Sequence, residues 1–344
     1  MIGEKPLVIM QFRQLGKSNI KVTPIILGTW AIGGWMWGGT DVKKAIEAIQ
    51  AAIENGITTI DTAPAYGMGL SEEIVGEAIK GKRDRVVLAT KCGLRWDESD
   101  PTVRSPNRDF NKSPVEIRKD LSPKGIFHEC EESMKRMKVD MIDIYQIHWP
   151  DPGTPIEETW NAMAQLKKLG KVRAIGVSNF DLPLLKAAHA VHPVDCIQPP
   201  YSLIRRGIEK DIIPFAQSNG ISVIVYSPME RGLLTGKYKP GYLFPAGDHR
   251  ADKKTFKPEY LNHLHEALTK IEPIAKKHRV SLAEIIINCT IHRPGITAAL
   301  VGARDAKQAE ENARGGKLSL SPEELNLIAT TLSKDELQRQ LYED

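Results

Sequence analysis

At 344 residues with 41% apolar content, the chain can bury a large core, as two ordinary domains or as one closed α/β barrel of about 250 residues with additions. A formal net charge of +4, with Lys and Arg interleaved among Asp and Glu, lacks the concentrated basic face of a nucleic-acid reader, so no nucleic-acid partner is expected. No apolar run approaches the ~18 residues of a membrane span, so no membrane role is expected either.

Residues 1–9 read as a loose extension, since Pro6-Leu7-Val8-Ile9 is too short for a secretory h-region, and a single unit is expected over 1–344. Gln11–Leu15 and Lys21–Thr23 flank Gly16-Lys17-Ser18-Asn19 as a small hairpin. One pattern then repeats: a short apolar run followed by an amphipathic stretch. The runs are Ile25–Gly28, Thr58–Ile60, Val86–Thr90, Met141–Ile147, Ala174–Val177, Cys196–Gln198, Val223–Tyr226 and Ala298–Val301. Such runs suit strands covered by helices on both faces.

Helical patterns fill the intervals. Residues 41–54 align Val42, Ala45, Ile46, Ile49 and Ile53 on one face and end at Gly56. Ser71-Glu72-Glu73 reads as a capped start, and Ser122-Pro123 opens a helix to about Lys138. Further helices are expected over 157–169, 181–190, 209–219, 305–314 and from Ser321 onward. Residues 93–121 and 228–257 break the rhythm with Gly, Pro and charge, and insertions after strands belong at a barrel's active face. The expected fold is therefore a (β/α)8 barrel with an N-terminal β-hairpin and an extra C-terminal helix. The rival, a doubly wound sheet, would show GxGxxG; Gly33-Gly34 and Gly38-Gly39 lack that spacing, and Gly232–Lys237 falls one residue short of a P-loop.

In such barrels the chemistry comes from strand C-terminal ends and the loops beyond them. Asp61, Lys91 and His148 end the second, third and fourth runs, and Tyr66 follows in the loop after the second. Taken singly, each has a bland alternative: a turn-forming aspartate, a loop aromatic, a snorkelling lysine, a core histidine. Together they suit proton transfer. A phenol with a pKa near ~10 is a sluggish proton source at neutral pH, and an adjacent ammonium lowers it at ~1.4 kcal/mol per unit. Asp61 would keep Lys91 charged, His148 would orient a substrate carbonyl, and Tyr66 would protonate the developing alkoxide. No side chain supplies the hydride; a nicotinamide cofactor does.

The four cysteines (Cys92, Cys130, Cys196, Cys289) lie far apart with no CxxC pair and read as reduced, mostly buried thiols of a cytoplasmic protein. His189 with His192, and His263 with His265, lie in helical stretches without a zincin spacing, so no metal site is expected. Trp30, Trp35, Trp37, Trp96 and Trp149 all follow strands and could line an apolar substrate pocket; for Trp35 and Trp37 a role as loop anchors stands equally open.

The stretches Gly28-Thr29-Trp30, Asp61–Gly67, Ala89-Thr90-Lys91, Gln146–Asp151, Ile175–Phe180, Tyr226-Ser227-Pro228, Arg231–Lys237 and Leu300–Arg304 with Gln308, Glu311 and Asn312 recur in a known order. On these the chain resembles the aldo-keto reductases from hairpin to terminal helix, in particular bacterial reductases related to the potassium-channel β-subunits. The resemblance implies NADPH-dependent reduction of a small aldehyde or ketone, with Tyr66 as general acid in a tetrad with Asp61, Lys91 and His148. It implies that Ser178, Asn179 and Gln198 hold the carboxamide and that Tyr226 stacks on the nicotinamide. Gly28, Thr29, Trp30 and Asp61 join that end of the cofactor set. Ser227, Pro228, Met229, Arg231, Gly232 and Lys237 would lie along the pyrophosphate. Gly302, Arg304, Gln308, Glu311 and Asn312 would hold the adenosine; a helix N-terminus with Arg304 suits its 2′-phosphate and favours NADPH over NADH. Trp30, Tyr66, Trp96, His148 and Trp149 would meet substrate. The alternative is an NADP(H)-binding regulatory or redox-sensing subunit, although the channel subunits carry a longer N-terminal segment than the nine residues before Met10. A homo-oligomer is left open.

Overall fold

Leu15, Ile20 and Val22 come from the first turn of the chain, yet they are fully buried, and what they bury against sets the polarity of the whole molecule. The computed structural model describes residues 10–96, 115–245, 248–334 and 337. In it β1 (Arg13–Gln14) and β2 (Lys21–Val22) pair antiparallel, as the sequence predicts. The hairpin's apolar side chains join Ile26, Ala89, Ile144, Ala174, Cys196, Ile224 and Ala298 in one cluster inside the barrel. The Gly16 amide donates to Ser222 Oγ at 2.8 Å, and Gly16, at φ +51, lies so close to the Asp195 carbonyl that no Cβ would fit. One end of the barrel is thus plugged, and chemistry has to use the other.

The barrel strands are β3 (Ile25–Gly28), β4 (Thr59–Asp61), β5 (Val87–Cys92), β8 (Ile142–Ile147), β9 (Val172–Ser178), β10 (Cys196–Gln198), β11 (Ser222–Val225) and β12 (Ala298–Gly302). Each pairs in parallel with the next, and β12 closes on β3. These are the eight apolar runs with ends shifted by a residue or two; β4 and β5 reach Asp61 and Cys92, which carries the two key side chains into the ladder. A two-stranded accessory, β6 (Leu94–Arg95) with β7 (Arg118–Lys119), rises from the loop after β5. Residues 97–114 of that insertion, and the 1–9 extension, lie outside the described residues.

Helices surround the barrel: α1 (Val42–Glu54), α2 (Leu70–Ala78), α3 (Pro123–Met137), α4 (Ile156–Lys168), α5 (Leu182–Val191) and α6 (Ile212–Asn219), then α7 (Pro258–His278), α8 (Leu282–Ile291), α9 (Ala306–Lys317) and α10 (Pro322–Leu332). Side chains cap α1, α3, α5 and α9, at Asp41, Ser122, Asp181 and Asp305, and Ser281 and Ser321 form capping boxes with Glu284 and Glu324. The expected extra C-terminal helix is α10; α7, which packs on it, is a second addition. Ser71 differs from expectation. The N-cap of α2 is Gly69 at φ 93, and Ser71 lies inside the helix with its hydroxyl 2.7 Å from Thr29 Oγ1 and 2.9 Å from Thr62 Oγ1. A buried hydroxyl network outweighs the local capping preference there. All four cysteines are buried and free, and no described helix is long and apolar enough to cross a membrane.

Gly76 marks where α2 and α3 touch backbone to backbone: a Cβ there would lie 2.6 Å from the Met137 carbonyl oxygen. Gly76→Ala should therefore cost about 1–3 kcal/mol by overpacking despite its better helix propensity. Urea unfolding of the two proteins checks this; an unchanged or raised midpoint would contradict the close approach.

Candidate active site

Asp61 is the last residue of β4, and its carboxylate is 1% exposed at the open end of the barrel. Lys91, in β5, is fully buried and donates from Nζ to Asp61 Oδ1 at 2.5 Å, to the Thr62 carbonyl at 2.9 Å and to Tyr66 Oη at 3.3 Å. Gln198 and Gln146 donate to the other Asp61 oxygen at 2.9 and 3.3 Å. The carboxylate is thus satisfied on both oxygens, which a buried charge requires. Tyr66 stands in the turn beyond β4. That turn is fixed by glycines: a Cβ on Gly33 would sit 2.6 Å from the Tyr66 carbonyl carbon, and one on Gly67 would overlap the Gly33 carbonyl. His148 follows β8, and its ring meets Tyr66 edge-on with centroids 5.7 Å apart. The four predicted residues therefore converge at one end of the barrel.

Their protonation differs in one respect from the sequence expectation. Burial pushes the Tyr66 phenol up, Lys91 pulls it down, and Asp61 pushes it up again; the net shift is upward. The ammonium softens the effect of burial without making the phenol acidic, so Tyr66 holds its proton at neutral pH. For Lys91, burial favours the neutral amine, but Asp61 and then Tyr66 outweigh it and raise its pKa. His148 is driven well below the ordinary imidazole value by burial and by Lys91, and so is neutral.

A second layer surrounds this core. Ser178 Oγ donates to the Gln198 carbonyl at 2.7 Å, and Asn179 Nδ2 donates to the His148 carbonyl at 2.9 Å. Tyr226 Oη donates to Asn179 Oδ1 at 2.7 Å, and burial raises that phenol to about 12. Thr29 donates to the Asp61 carbonyl at 3.0 Å. Beside these residues opens a groove of about 420 Å³, lined among others by Trp149, Asn179, Phe180, Tyr226, Ser227 and Arg231.

The segment after β11 is strained. Ser227, Glu230 and Arg231 have φ of 58°, 44° and 56°, conformations that cost non-glycine residues roughly 1–3 kcal/mol each. Glu230 holds the bend, accepting from Ser202 Oγ at 2.8 Å and from Arg205 Nε at 3.2 Å. Arg231 Nε is buried and has no hydrogen-bond partner among the described residues, which suits an anionic ligand along this segment. Pro228 and Met229 are buried, and Lys237 is exposed at its far end. Across the mouth, Gly302 ends β12, and Asn312 donates to its carbonyl at 3.0 Å. Gln308 Oε1 accepts from the exposed Arg304 amide at 3.0 Å, while Asp305 caps α9 through the Gln308 amide. Glu311 is half-buried on the same helix.

The tryptophans divide. Trp30 lies 6.5 Å from the Tyr66 ring, and Trp149, 43% exposed, lines the groove. Trp96, expected to meet substrate, is 2% exposed and packs in a separate cluster with Met68, Trp35, Val115 and Ile117. The sequence expectation gave Gln146 no role, although a glutamine near the end of a strand, two residues before His148, was a usable signal. Among the described residues, no group of three or more His, Cys, Asp or Glu is arranged to hold a metal.

Residues 24–332 match the model of the Aldo/keto reductase family. The chain belongs to this family. It is 43% identical over 327 residues to "Aldo-keto reductase YhdN" of Bacillus subtilis (strain 168), covering 94% of each chain. It is 36% identical over 321 residues to the "NADH-specific methylglyoxal reductase" of Escherichia coli (strain K12), covering 91% of this chain and 96% of that one. Among solved structures, a glycerol dehydrogenase from Gluconobacter oxydans superposes with a TM-score of 0.83 and 36% identity, covering 93% of this chain and 94% of that one. As an aldo/keto reductase this protein is an oxidoreductase that takes a nicotinamide cofactor, and the groove, the unpaired Arg231 Nε and the polar cluster around Asn179 are compatible with one.

Asp61→Asn would leave the Lys91 ammonium buried without its counter-charge. Breaking such a pair costs about 3–5 kcal/mol, to be read from urea unfolding at neutral pH. Because Lys91's folded pKa is raised, its contribution is fully present below the ordinary lysine value of ~10.4 and is lost as pH rises through the folded value. A variant as stable as the parent would contradict the pairing.

Proposed function

We propose that this protein reduces an aldehyde or ketone to its alcohol with NADPH, and that Tyr66 donates the proton. The observation that carries the proposal is Lys91 Nζ held between Asp61 and Tyr66, at 2.5 and 3.3 Å, on the open end of the barrel. The bound cofactor supplies hydride to the carbonyl carbon. What the chain supplies is position and a proton. His148, neutral, donates a hydrogen bond to the carbonyl oxygen and fixes its angle beside Tyr66. As negative charge grows on that oxygen, the Tyr66 Oη–H bond breaks and its proton passes to the oxygen, giving the alcohol. The phenolate left behind is stabilised by Lys91, which Asp61 keeps charged. An acid raised above its ordinary pKa is suited to this order of events, since it holds its proton until the oxygen becomes basic.

Ser178, Asn179 and Gln198 would bind the carboxamide, with Tyr226 against the ring. Gly28, Thr29 and Trp30 would border that end, and Ser227–Lys237 would cover the pyrophosphate, with Arg231 as its cation. Gly302, Arg304, Gln308, Glu311 and Asn312 would hold the adenosine. Arg304 supports NADPH: it is a cation beside the N-terminus of α9, where a phosphate monoester is favoured. The relative named NADH-specific shows that the family does not fix this choice, so it rests on Arg304. Trp30 and Trp149 would border the substrate. The names of the relatives, reductase and dehydrogenase, favour turnover over a sensing role.

Tyr66→Phe should lower kcat by roughly 10²–10⁴-fold with an aldehyde such as 4-nitrobenzaldehyde, while NADPH affinity by fluorescence titration stays unchanged. Wild-type turnover would rule out the assigned donor, and a single slow turnover by the wild type would favour the sensor. With His148 held low and Tyr66 high, kcat/KM should be flat across neutrality and fall only above about pH 10. A decline centred near neutral pH would contradict these protonation states.

A further inference from the structure

Arg304 stands where two parts of the mouth meet. Its Nη2 donates to the Gly39 carbonyl at 2.9 Å and its Nη1 to the Trp37 carbonyl at 3.4 Å, both in the loop joining β3 to α1. That loop is bent through left-handed conformations at Met36 (φ 66), Gly34, Gly38 and Gly39. Its other tethers come from the segment after β11: Trp37 bridges Asp248, His249 Nδ1 donates to the Met36 carbonyl at 2.7 Å, and Arg250 lies 4.8 Å over the Trp37 ring. From Trp37 the contacts continue inward. Its ring meets Trp30 edge-on at 5.3 Å, and Trp30 lies 6.5 Å from Tyr66. Packed rings therefore link the Arg304 guanidinium to the aromatic wall beside the proton donor.

We propose that Arg304 is a latch on the β3–α1 loop that a 2′-phosphate opens, so that the group distinguishing NADPH from NADH also resets the Trp37–Trp30 wall and with it substrate choice. The proposal rests on the assignment of Arg304 to the adenosine phosphate made above. The two carbonyls engage one N–H on each Nη of a guanidinium that has five, and a phosphate, unlike a carbonyl, brings a full opposite charge to that fork. Two backbone carbonyls therefore lose the Nη edge to a phosphate. By linkage the coupling runs both ways, so any change that loosens the loop strengthens capture of the phosphate.

The test uses 2′,5′-ADP against 5′-ADP, which differ in the 2′-phosphate and carry no nicotinamide, on the full chain. Binding is followed by calorimetry, the loop by limited proteolysis within residues 33–41, and Trp37 by the emission that Trp37→Phe removes. In the wild type, 2′,5′-ADP should change the Trp37 emission and expose the loop to cleavage, whereas 5′-ADP should do neither. Arg304→Gln should show the exposed loop without ligand and lose roughly tenfold or more of the preference for 2′,5′-ADP. Arg304→Lys, a point charge without the fork, should keep most of the preference with the loop already exposed. Arg304-dependent binding of 2′,5′-ADP with unchanged emission and cleavage overturns the latch and leaves the phosphate assignment standing. A preference untouched by Arg304→Gln overturns both.

Discussion

Lys91 carries an ammonium into a place with no solvent exposure, and the groups at the barrel mouth are arranged around that charge. Asp61 answers it directly, and two glutamines from β8 and β10 satisfy what remains of the carboxylate. The Thr62 carbonyl accepts a second hydrogen bond from Lys91, and the Tyr66 hydroxyl is the third partner. Of these residues Tyr66 is the one that is not fully buried. Lys91 and Asp61 balance each other before reaction; in the proposed reaction the phenolate adds a negative charge that the ammonium stabilises. That difference between ground state and transition state is what accelerates a reaction.

The ends of the barrel divide labour for a reason built into the chain. The hairpin fills the bottom with Leu15, Ile20 and Val22, which closes that end. The top is left to loops that tolerate strain: Ser227, Glu230 and Arg231 in left-handed conformations, Gly33 and Gly67 in backbone contact beside Tyr66. Each of these segments is tied by polar partners, Glu230 by Ser202 and Arg205, and the β3–α1 loop by Arg304 and His249. In the proposed reading Arg304 exchanges these carbonyls for a cofactor phosphate, which is what makes cofactor identity and loop conformation separable by experiment.

The barrel was legible because its strands are apolar on both faces and punctuated by caps and glycines; the eight runs and the convergence of Asp61, Tyr66, Lys91 and His148 follow from the strand-end rule. Other features were not legible, for physical reasons. Ser71 carries a capping signature, but a tertiary hydroxyl network takes its side chain. Trp96 follows a strand like Trp30, yet packs into its own cluster, since sequence position does not say which way a loop aromatic turns. The upward shift of Tyr66 depends on how deeply it is buried relative to Lys91, a competition that residue types do not settle. Nor does the pattern reveal that the Arg304 side chain folds back onto the Trp37 and Gly39 carbonyls, because that contact joins residues 265 and 267 positions apart.

The central claim is that Tyr66 is a proton-bearing acid whose proton is made easier to release by Lys91. Tyrosine labelled with ¹³C at Cζ, with Tyr66 assigned through Tyr66→Phe, reports the phenol directly in a titration from neutral pH to about pH 11. The account predicts that Tyr66 remains protonated through the ordinary tyrosine value near ~10, and that Lys91→Met moves its titration higher still. A phenolate already formed near neutral pH, or a titration that Lys91→Met leaves in place or lowers, would contradict it.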